Sequence, residues 1–123
     1  MPGSREQILL DMLRQLRTDT SGVEAAAIIS ADAMPLASEM SDSLEEEVLS
    51  ATASALMTTG ERVANDLARG NLDQLYLRGE DGDLLVVKVN GDAILACVVD
   101  HQAKMGLTLL EVGRCAQRLA DVI

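Results

Sequence analysis

The longest helical pattern in the chain carries more apolar surface than packing on one neighbour requires. Small and apolar residues recur every three or four positions along a first stripe, made of Leu49, Ala53, Leu56, Gly60, Val63 and Leu67. A second stripe with the same spacing lies about 130° around the helix and is made of Leu44, Val48, Ala51 and Ala55. One stripe can pack on the protein's own sheet, so the second predicts a further partner and a protein that acts through an interface.

The remaining patterns predict two more helices and five strands. Ser4-Arg5-Glu6-Gln7 resembles a capping box that begins a helix reaching about Thr18, and a last helix runs from about Lys104 to the end. A second capping box at Ser43 predicts the start of the long helix, whose end is marked by Arg69 and Gly70. The predicted strands are 23–30, 35–39, 73–78, 84–89 and 93–99.

The element order predicts the architecture. Segments 23–30 and 93–99 are apolar on both faces, as strands are when helices cover both sides of a sheet. Pro35 lacks an N–H group and suits an edge strand. We therefore expect an α/β fold in the order α-β-β-α-β-β-β-α: a three-layer α/β/α sandwich around a five-stranded, mostly antiparallel sheet, in a single domain spanning 1–123.

Composition narrows the classes of partner. The net charge is −10, which argues against binding to nucleic acid and to anionic membranes, because both need a basic face. The N-terminus has no secretory signal pattern, and polar residues interrupt every apolar run before it reaches membrane-spanning length. The expected location is the cytoplasm.

No pattern in the sequence predicts catalysis, so no catalytic, cofactor-binding or metal-binding residue is expected. The chain lacks GxxxxGK[ST] and GxGxxG, and no nucleophile is paired with a base. His101 has no cluster of partners and is expected to be solvated. Cys97 and Cys115 are expected to be small core residues, and whether they ever pair stays open.

Three segments carry a resemblance to a known family. They are Gly22-Val23-Glu24 leading through Ile28-Ile29 to Asp32 and Pro35-Leu36-Ala37-Ser38, then Asp92-Ala93-Ile94-Leu95-Ala96, then Met105-Gly106-Leu107. In this order they resemble the roadblock/LC7 family, whose bacterial members include the MglB-type regulators of Ras-like GTPases. Ala33 stands where the family usually has a turn glycine. Either the turn changes type, or Asp32 takes the special conformation.

The resemblance implies a dimer in which the edge strand after the long helix pairs with its copy and the long helices pair antiparallel. It assigns the strand Asp73 to Arg78, with Gln74 and Tyr76, to this contact. Tyr76 is equally well explained as an interface anchor or as an ordinary strand tyrosine. The second stripe then becomes a candidate for the helix–helix contact or for docking of a partner.

The implied function is a non-enzymatic homodimer that regulates a small Ras-like GTPase, by affecting either hydrolysis or exchange. The alternative is a dimeric scaffold of the dynein-light-chain type, without effect on nucleotide turnover. A small-ligand sensor is a third possibility, although the Ala-rich aliphatic core argues against a roomy pocket. The sequence leaves open the identity and nucleotide state of the GTPase, the stoichiometry, and whether the effect is activation or inhibition.

Overall fold

The computed structural model describes residues 4–123, so the first three residues of the predicted domain lie outside the described part. Within it the predicted order α-β-β-α-β-β-β-α is confirmed. The elements are α1 (Arg5–Asp19), β1 (Val23–Ser30), β2 (Pro35–Glu39), α2 (Glu46–Asp66), β3 (Gln74–Gly79), β4 (Gly82–Asn90), β5 (Ala93–Val99) and α3 (Met105–Ala120).

The five strands form one sheet in the order β2-β1-β5-β4-β3, and every neighbouring pair is antiparallel. Helices α1 and α3 cover one face, and α2 covers the other. The central strands β1 and β5 are therefore buried on both faces, as their apolar patterns predict. The predicted three-layer sandwich is confirmed, and β2 and β3 are its two edges.

Helix α1 begins as its sequence predicts. The Ser4 hydroxyl accepts a hydrogen bond from the Gln7 backbone N–H at 3.2 Å, which satisfies one of the free donors of the first turn. Leu9, Leu13 and Leu16 are buried against the sheet. Ile8, an apolar residue one position before Leu9, is exposed.

The predicted start of α2 is wrong. Glu45 occupies the N-cap position and makes no side-chain capping bond, so the helix starts three residues after Ser43. A capping box requires the Glu46 carboxylate to reach back to the Ser43 backbone. Glu46 instead accepts a hydrogen bond from the Ser38 hydroxyl on β2. Because of this tertiary contact, the Glu46 carboxylate does not cap the Ser43 backbone. Residues 41–44 form a turn, in which the Leu44 N–H donates to the Ser41 carbonyl.

The predicted end of α2 is also displaced, because Ala68 takes the place expected of a glycine. Its φ is 56°, in the left-handed region. The Ala68 and Arg69 N–H groups bond to the carbonyls of Asn65 and Ala64, at 3.1 and 2.7 Å. This is the pair of bonds that closes a Schellman motif. Helix α2 therefore stops at Asp66, before Arg69 and Gly70.

The β1–β2 turn shows a second alanine with positive φ. Ala33 has φ 66°, so neither of the two expected alternatives is right: the residue with a Cβ adopts the glycine conformation itself. The Ala33 N–H donates to the Ser30 carbonyl at 3.0 Å, and the Ser30 N–H donates to the Met34 carbonyl at 2.8 Å. The Ser30 hydroxyl also bonds to the Asp32 carboxylate. These bonds hold the left-handed residue that a three-residue hairpin loop requires.

Candidate functional site

The first stripe of α2 changes role halfway along the helix. Leu49 and Ala53 are buried against the sheet, together with Ser50 and Met57. Farther along the same stripe, Val63 and Leu67 are 50% and 61% exposed. One stripe was expected to pack on the protein's own sheet, and only the first half of this stripe does so. Its second half lies toward β3, at the edge of the sheet, and stays exposed.

The uncovered half of the stripe forms one wall of a groove of about 450 Å³. We call it the apolar groove; it is lined by Leu56, Thr59, Gly60, Val63, Ala64, Leu67, Arg69, Leu72 and Leu75. Gly60 sets its depth, since a Cβ there would lie 2.7 Å from Leu72 Cδ2 and 2.8 Å from Leu75 Cδ1. A side chain at position 60 would force these two leucine side chains to shift, so the glycine lets them lie close against α2.

Strand β3 borders the apolar groove and is one edge of the sheet. Leu75 is partly buried on the α2 face, whereas Leu77, two residues along, is 45% exposed on that face. Tyr76 points to the opposite face, where its hydroxyl donates to Asp83 Oδ2 at 2.9 Å. This hydrogen bond is the main reason why the pKa of Tyr76 is raised above its ordinary value. The predicted contact residues Asp73, Gln74, Tyr76 and Arg78 are all exposed.

The opposite edge, β2, is better protected. It is short and begins with Pro35, which cannot donate to a further strand. Glu39 is held by two cations, with Arg14 Nε at 3.3 Å and Arg17 Nη1 at 3.4 Å. Ser38 is tied to Glu46 of α2. The two edges therefore differ, and β3 is the one that offers exposed backbone beside an apolar surface.

The second stripe of α2 lies outside the apolar groove. Val48 is 54% exposed, Ala51 and Ala55 are exposed, and Leu44 is half-buried. The exposed Glu45 and Glu47 flank its N-terminal end. The small alanine side chains leave a low surface with one protruding apolar group, Val48, next to negative charge.

A cleft of about 590 Å³ lies on the other side of the second half of α2. Its floor is apolar and includes Ile29, Met57, Ala93 and Ile94. Its rim is polar and includes the ion pair between Lys88 Nζ and Glu61 Oε2, 3.2 Å apart. The cleft is an indentation of the surface and leaves the Ala-rich core closed.

The remaining reactive side chains lie apart from these surfaces. Cys97 and Cys115 are buried free thiols, and burial raises the pKa of both, which disfavours the reactive thiolate. His101 is exposed in the turn after β5. Residues 4–123 contain no group of three or more His, Cys, Asp or Glu side chains placed to hold a metal ion. In the same range no helix is long and apolar enough to cross a membrane.

The sequence predicts two apolar stripes on α2, but the surfaces that stay uncovered in the structure do not coincide with those stripes. Val63 and Leu67 belong to the first stripe and were not among the residues predicted for an interface, and Leu72 lies outside every predicted element. Leu75 lies within the strand 73–78 that the resemblance assigns to the dimer contact. The one available signal was length: the stripe from Leu49 to Leu67 spans about 27 Å of helix, whereas a typical strand of five or six residues spans about 17–20 Å.

The sequence profile of the Roadblock/LC7 domain matches residues 9–99. The uncharacterized protein MJ1340 of Methanocaldococcus jannaschii is 28% identical over 114 residues, which cover 93% of this chain and 95% of that protein. The structure of the gliding protein MglB of Thermus thermophilus superposes with a TM-score of 0.87 at 19% identity, covering 99% of this chain and 93% of the other. For Myxococcus xanthus MglB the TM-score is 0.89 at 12% identity, with 99% and 92% covered.

Proposed function

Because the chain belongs to the Roadblock/LC7 family, we propose that it is a homodimeric, non-enzymatic regulator of a small Ras-like GTPase. The observation that carries the proposal is that α2 leaves two different apolar surfaces uncovered, the apolar groove and the second stripe. One surface serves a second copy of the chain, and the other serves the GTPase. The resemblance of the sequence to bacterial regulators of Ras-like GTPases supports the choice of partner.

We assign the apolar groove to self-association. It adjoins the open edge of β3, so one partner can cover the exposed Leu67 and Leu77 and pair with the strand at the same time. Burying such a side chain contributes about 1.5–3 kcal/mol. The protected β2 edge explains why pairing stops at two chains rather than continuing into a filament.

We assign the second stripe to the GTPase. It lies on a different side of α2 from the apolar groove, so both surfaces can be occupied together. Val48 supplies an apolar contact, and Glu45 and Glu47 favour a partner surface that carries basic residues. A dimer presents two such stripes, which makes a composite docking surface.

The arginines do not point to direct catalysis. Arg69 lines the apolar groove and Arg78 lies on the β3 edge, so both belong to the surface assigned to self-association. Arg62 is exposed on α2 and has only a loose ion pair, with Asp66 at 3.8 Å. A catalytic arginine must be held in position before the reaction. The proposed regulator therefore acts by biasing the conformation of the GTPase.

Two matched variants test the assignment of the surfaces. Val48→Glu places a charge on the second stripe, and Leu67→Glu places the same charge in the apolar groove. Both side chains are more than half exposed, so each variant is expected to fold. We expect Leu67→Glu to weaken self-association more than about tenfold, since a buried unpaired charge is costly, whereas Val48→Glu keeps the dimer mass in light scattering.

The functional measurement uses the purified chain with each Ras-like GTPase of its own genome. GTP hydrolysis is followed by phosphate release, and exchange by a fluorescent GDP analogue. We expect the wild-type dimer to change one of the two rates and Val48→Glu to lose that effect while remaining dimeric. Binding without any change in either rate would contradict regulation and would favour the scaffold function.

A further inference from the structure

The floor of the cleft beside α2 is a row of side chains that crosses β1, β5 and β4. In the register of the sheet, Ile29 lies opposite Ile94, and Ile94 lies opposite Lys88. Met57 of α2 borders this row, but Ile94 and Lys88 remain half-buried rather than covered. The cleft volume of about 590 Å³ lies within the range of about 300–1,000 Å³ that small-ligand sites occupy. The cleft therefore offers an apolar surface of the size that a small molecule needs.

The α2 wall of the cleft carries a hydroxyl group without a partner. Thr52 and Thr58 each donate their hydroxyl to the backbone carbonyl four residues earlier, at 2.7 and 2.9 Å. Ser54 lines the cleft, and its Oγ is buried yet has no hydrogen-bond partner within residues 4–123. A buried hydroxyl without a partner costs free energy, and a bound molecule that bonds to it removes that cost. The Ser54 hydroxyl thus indicates a hydrogen-bonding occupant of the cleft.

The other polar groups on the sheet side of the cleft offer hydrogen-bond donors. Lys88 Nζ carries three N–H donors and uses one of them for Glu61 Oε2, at 3.2 Å. Both oxygens of Glu61 are engaged, since Oε1 accepts a hydrogen bond from the Leu72 N–H at 3.3 Å. Asn90 Oδ1 accepts from the Asp92 N–H at 2.8 Å, which leaves the Asn90 NH2 group to donate. A ligand that complements these groups must supply acceptor oxygens.

We propose that the cleft binds a small carboxylic acid with a branched or monocyclic apolar body. The body lies on Ile94 and Met57, and the carboxylate accepts hydrogen bonds from the donors that line the cleft, with the Lys88 ammonium as its charged partner. Arg62 adds positive charge at the rim, because its ion pair with Asp66 is loose, at 3.8 Å. The cleft shares no lining residue with the apolar groove or the second stripe, so this site is independent of the function proposed above.

Titration with isovalerate, cyclohexanecarboxylate and phenylacetate, each compared with its own primary amide, tests the ligand class. Nuclear magnetic resonance follows the backbone amide signals of Ala31, Gly91 and Ile94, which line the cleft. We expect at least one acid to shift these signals with a dissociation constant of about 1–10 mM, the range that ligands of this size reach. Its primary amide, which lacks the charge, should bind about threefold more weakly or worse. No shift of these signals by any acid, or equal binding of acids and amides, would contradict the proposal.

Two substitutions with opposite effects on the charge test the role of Lys88. Glu61→Gln keeps an oxygen that can accept from the Leu72 N–H and removes the charge that competes for Lys88. We expect it to strengthen binding of the acid about threefold, whereas Lys88→Gln should weaken binding about three- to tenfold. Binding of the primary amide should stay the same in both variants. A change in the same direction in both would show that packing, not charge, selects the ligand.

A matched pair of phenylalanine variants tests the location of the site. Thr58 and Thr52 are both exposed on α2 and make the same type of backbone hydrogen bond, but Thr58 lines the cleft and Thr52 does not. Thr58→Phe should fill the cleft and abolish binding of the acid, whereas Thr52→Phe should bind it like the wild type. Binding that survives Thr58→Phe, in a variant with the circular dichroism of the wild type, would overturn the site. Light scattering tests the proposed homodimer separately, so a monomeric wild type would leave this site standing.

Discussion

At the scale of single residues, two alanines occupy backbone conformations that suit glycine. Ala33 and Ala68 have φ values of 66° and 56°, where the Cβ meets the neighbouring carbonyl. Both are held by hydrogen bonds of the surrounding loop, at the β1–β2 turn and at the end of α2. The strain is therefore local and is offset by the bonds that close each turn.

Replacing either alanine with glycine should stabilise the protein. We expect Ala33→Gly and Ala68→Gly each to raise the free energy of unfolding by about 1 kcal/mol, because the left-handed conformation no longer strains a Cβ. Urea unfolding followed by circular dichroism, at one fixed protein concentration, measures the change. Ala55→Gly, in the regular interior of α2, is the matched control and should lower stability by about 1 kcal/mol. Equal losses in all three variants would contradict the strain.

Tyr76 reports on its own surroundings, since the sequence contains no Trp and no other aromatic residue. Its hydrogen bond to Asp83 raises its pKa above the ordinary 10.0. The folded state therefore holds this proton more tightly, and the resulting stabilisation is present below pH 10 and is lost as the pH rises through the raised pKa. We expect the absorbance of tyrosinate to appear at higher pH in the wild type than in Asp83→Ala. Asp81→Ala, in the adjacent exposed turn, should titrate like the wild type.

At the scale of secondary-structure elements, α2 borders both of the apolar surfaces that the fold leaves uncovered. Its first half packs on the sheet through Leu49, Ala53 and Met57. Its second half separates the apolar groove from the cleft that contains Met57 and Lys88. The same helix is tied at its start to β2 by the contact between Glu46 and Ser38. Its second half is also held, by the ion pair between Glu61 and Lys88, yet Val63 and Leu67 stay exposed there and are available to an interface.

At the scale of the whole molecule, the two edges of the sheet are unequal. Edge β2 is short, begins with a proline and is held by ion pairs, whereas edge β3 is exposed beside an apolar surface. Because β3 has free backbone groups to pair and β2 is protected, the sheet favours a closed pair of chains over an open polymer. The net charge of −10 acts in the same direction, because it opposes non-specific association.

Self-association should make thermal stability depend on protein concentration. We expect the melting temperature of the wild type to rise when the concentration is increased about a hundredfold, because a dimer that forms only from folded chains stabilises them by mass action. Leu67→Glu, with its charge in the apolar groove, should melt at a temperature that does not change over the same range. Differential scanning fluorimetry with an external dye measures both, and a wild type without concentration dependence would count against the dimer.

Much of the fold could be predicted from local patterns. The capping bond of Ser4, the alternation between buried and exposed positions, and the edge position of Pro35 each depend on residues close together in the chain. A prediction was wrong where a residue on another element took a hydrogen-bond partner that the local motif needs. Ser43 lost its capping box because Glu46 bonds to Ser38 on β2, and no local pattern contains that contact. The miss at Ala33 has a local cause, because the hydrogen bonds that hold its left-handed conformation come from Ser30 to Met34 within the hairpin itself.

By itself, the sequence determined the number, type and order of the elements, because hydrophobic periodicity and turn residues act over a few positions. It also showed that α2 has more apolar surface than one contact needs. Only three-dimensional packing decided how that surface is divided, since Leu49 and Ala53 are buried against the sheet whereas Val63 and Leu67 stay exposed. Which part of a helix its sheet leaves uncovered depends on the packing of strands that are far apart in the chain, and that geometry creates the apolar groove beside β3.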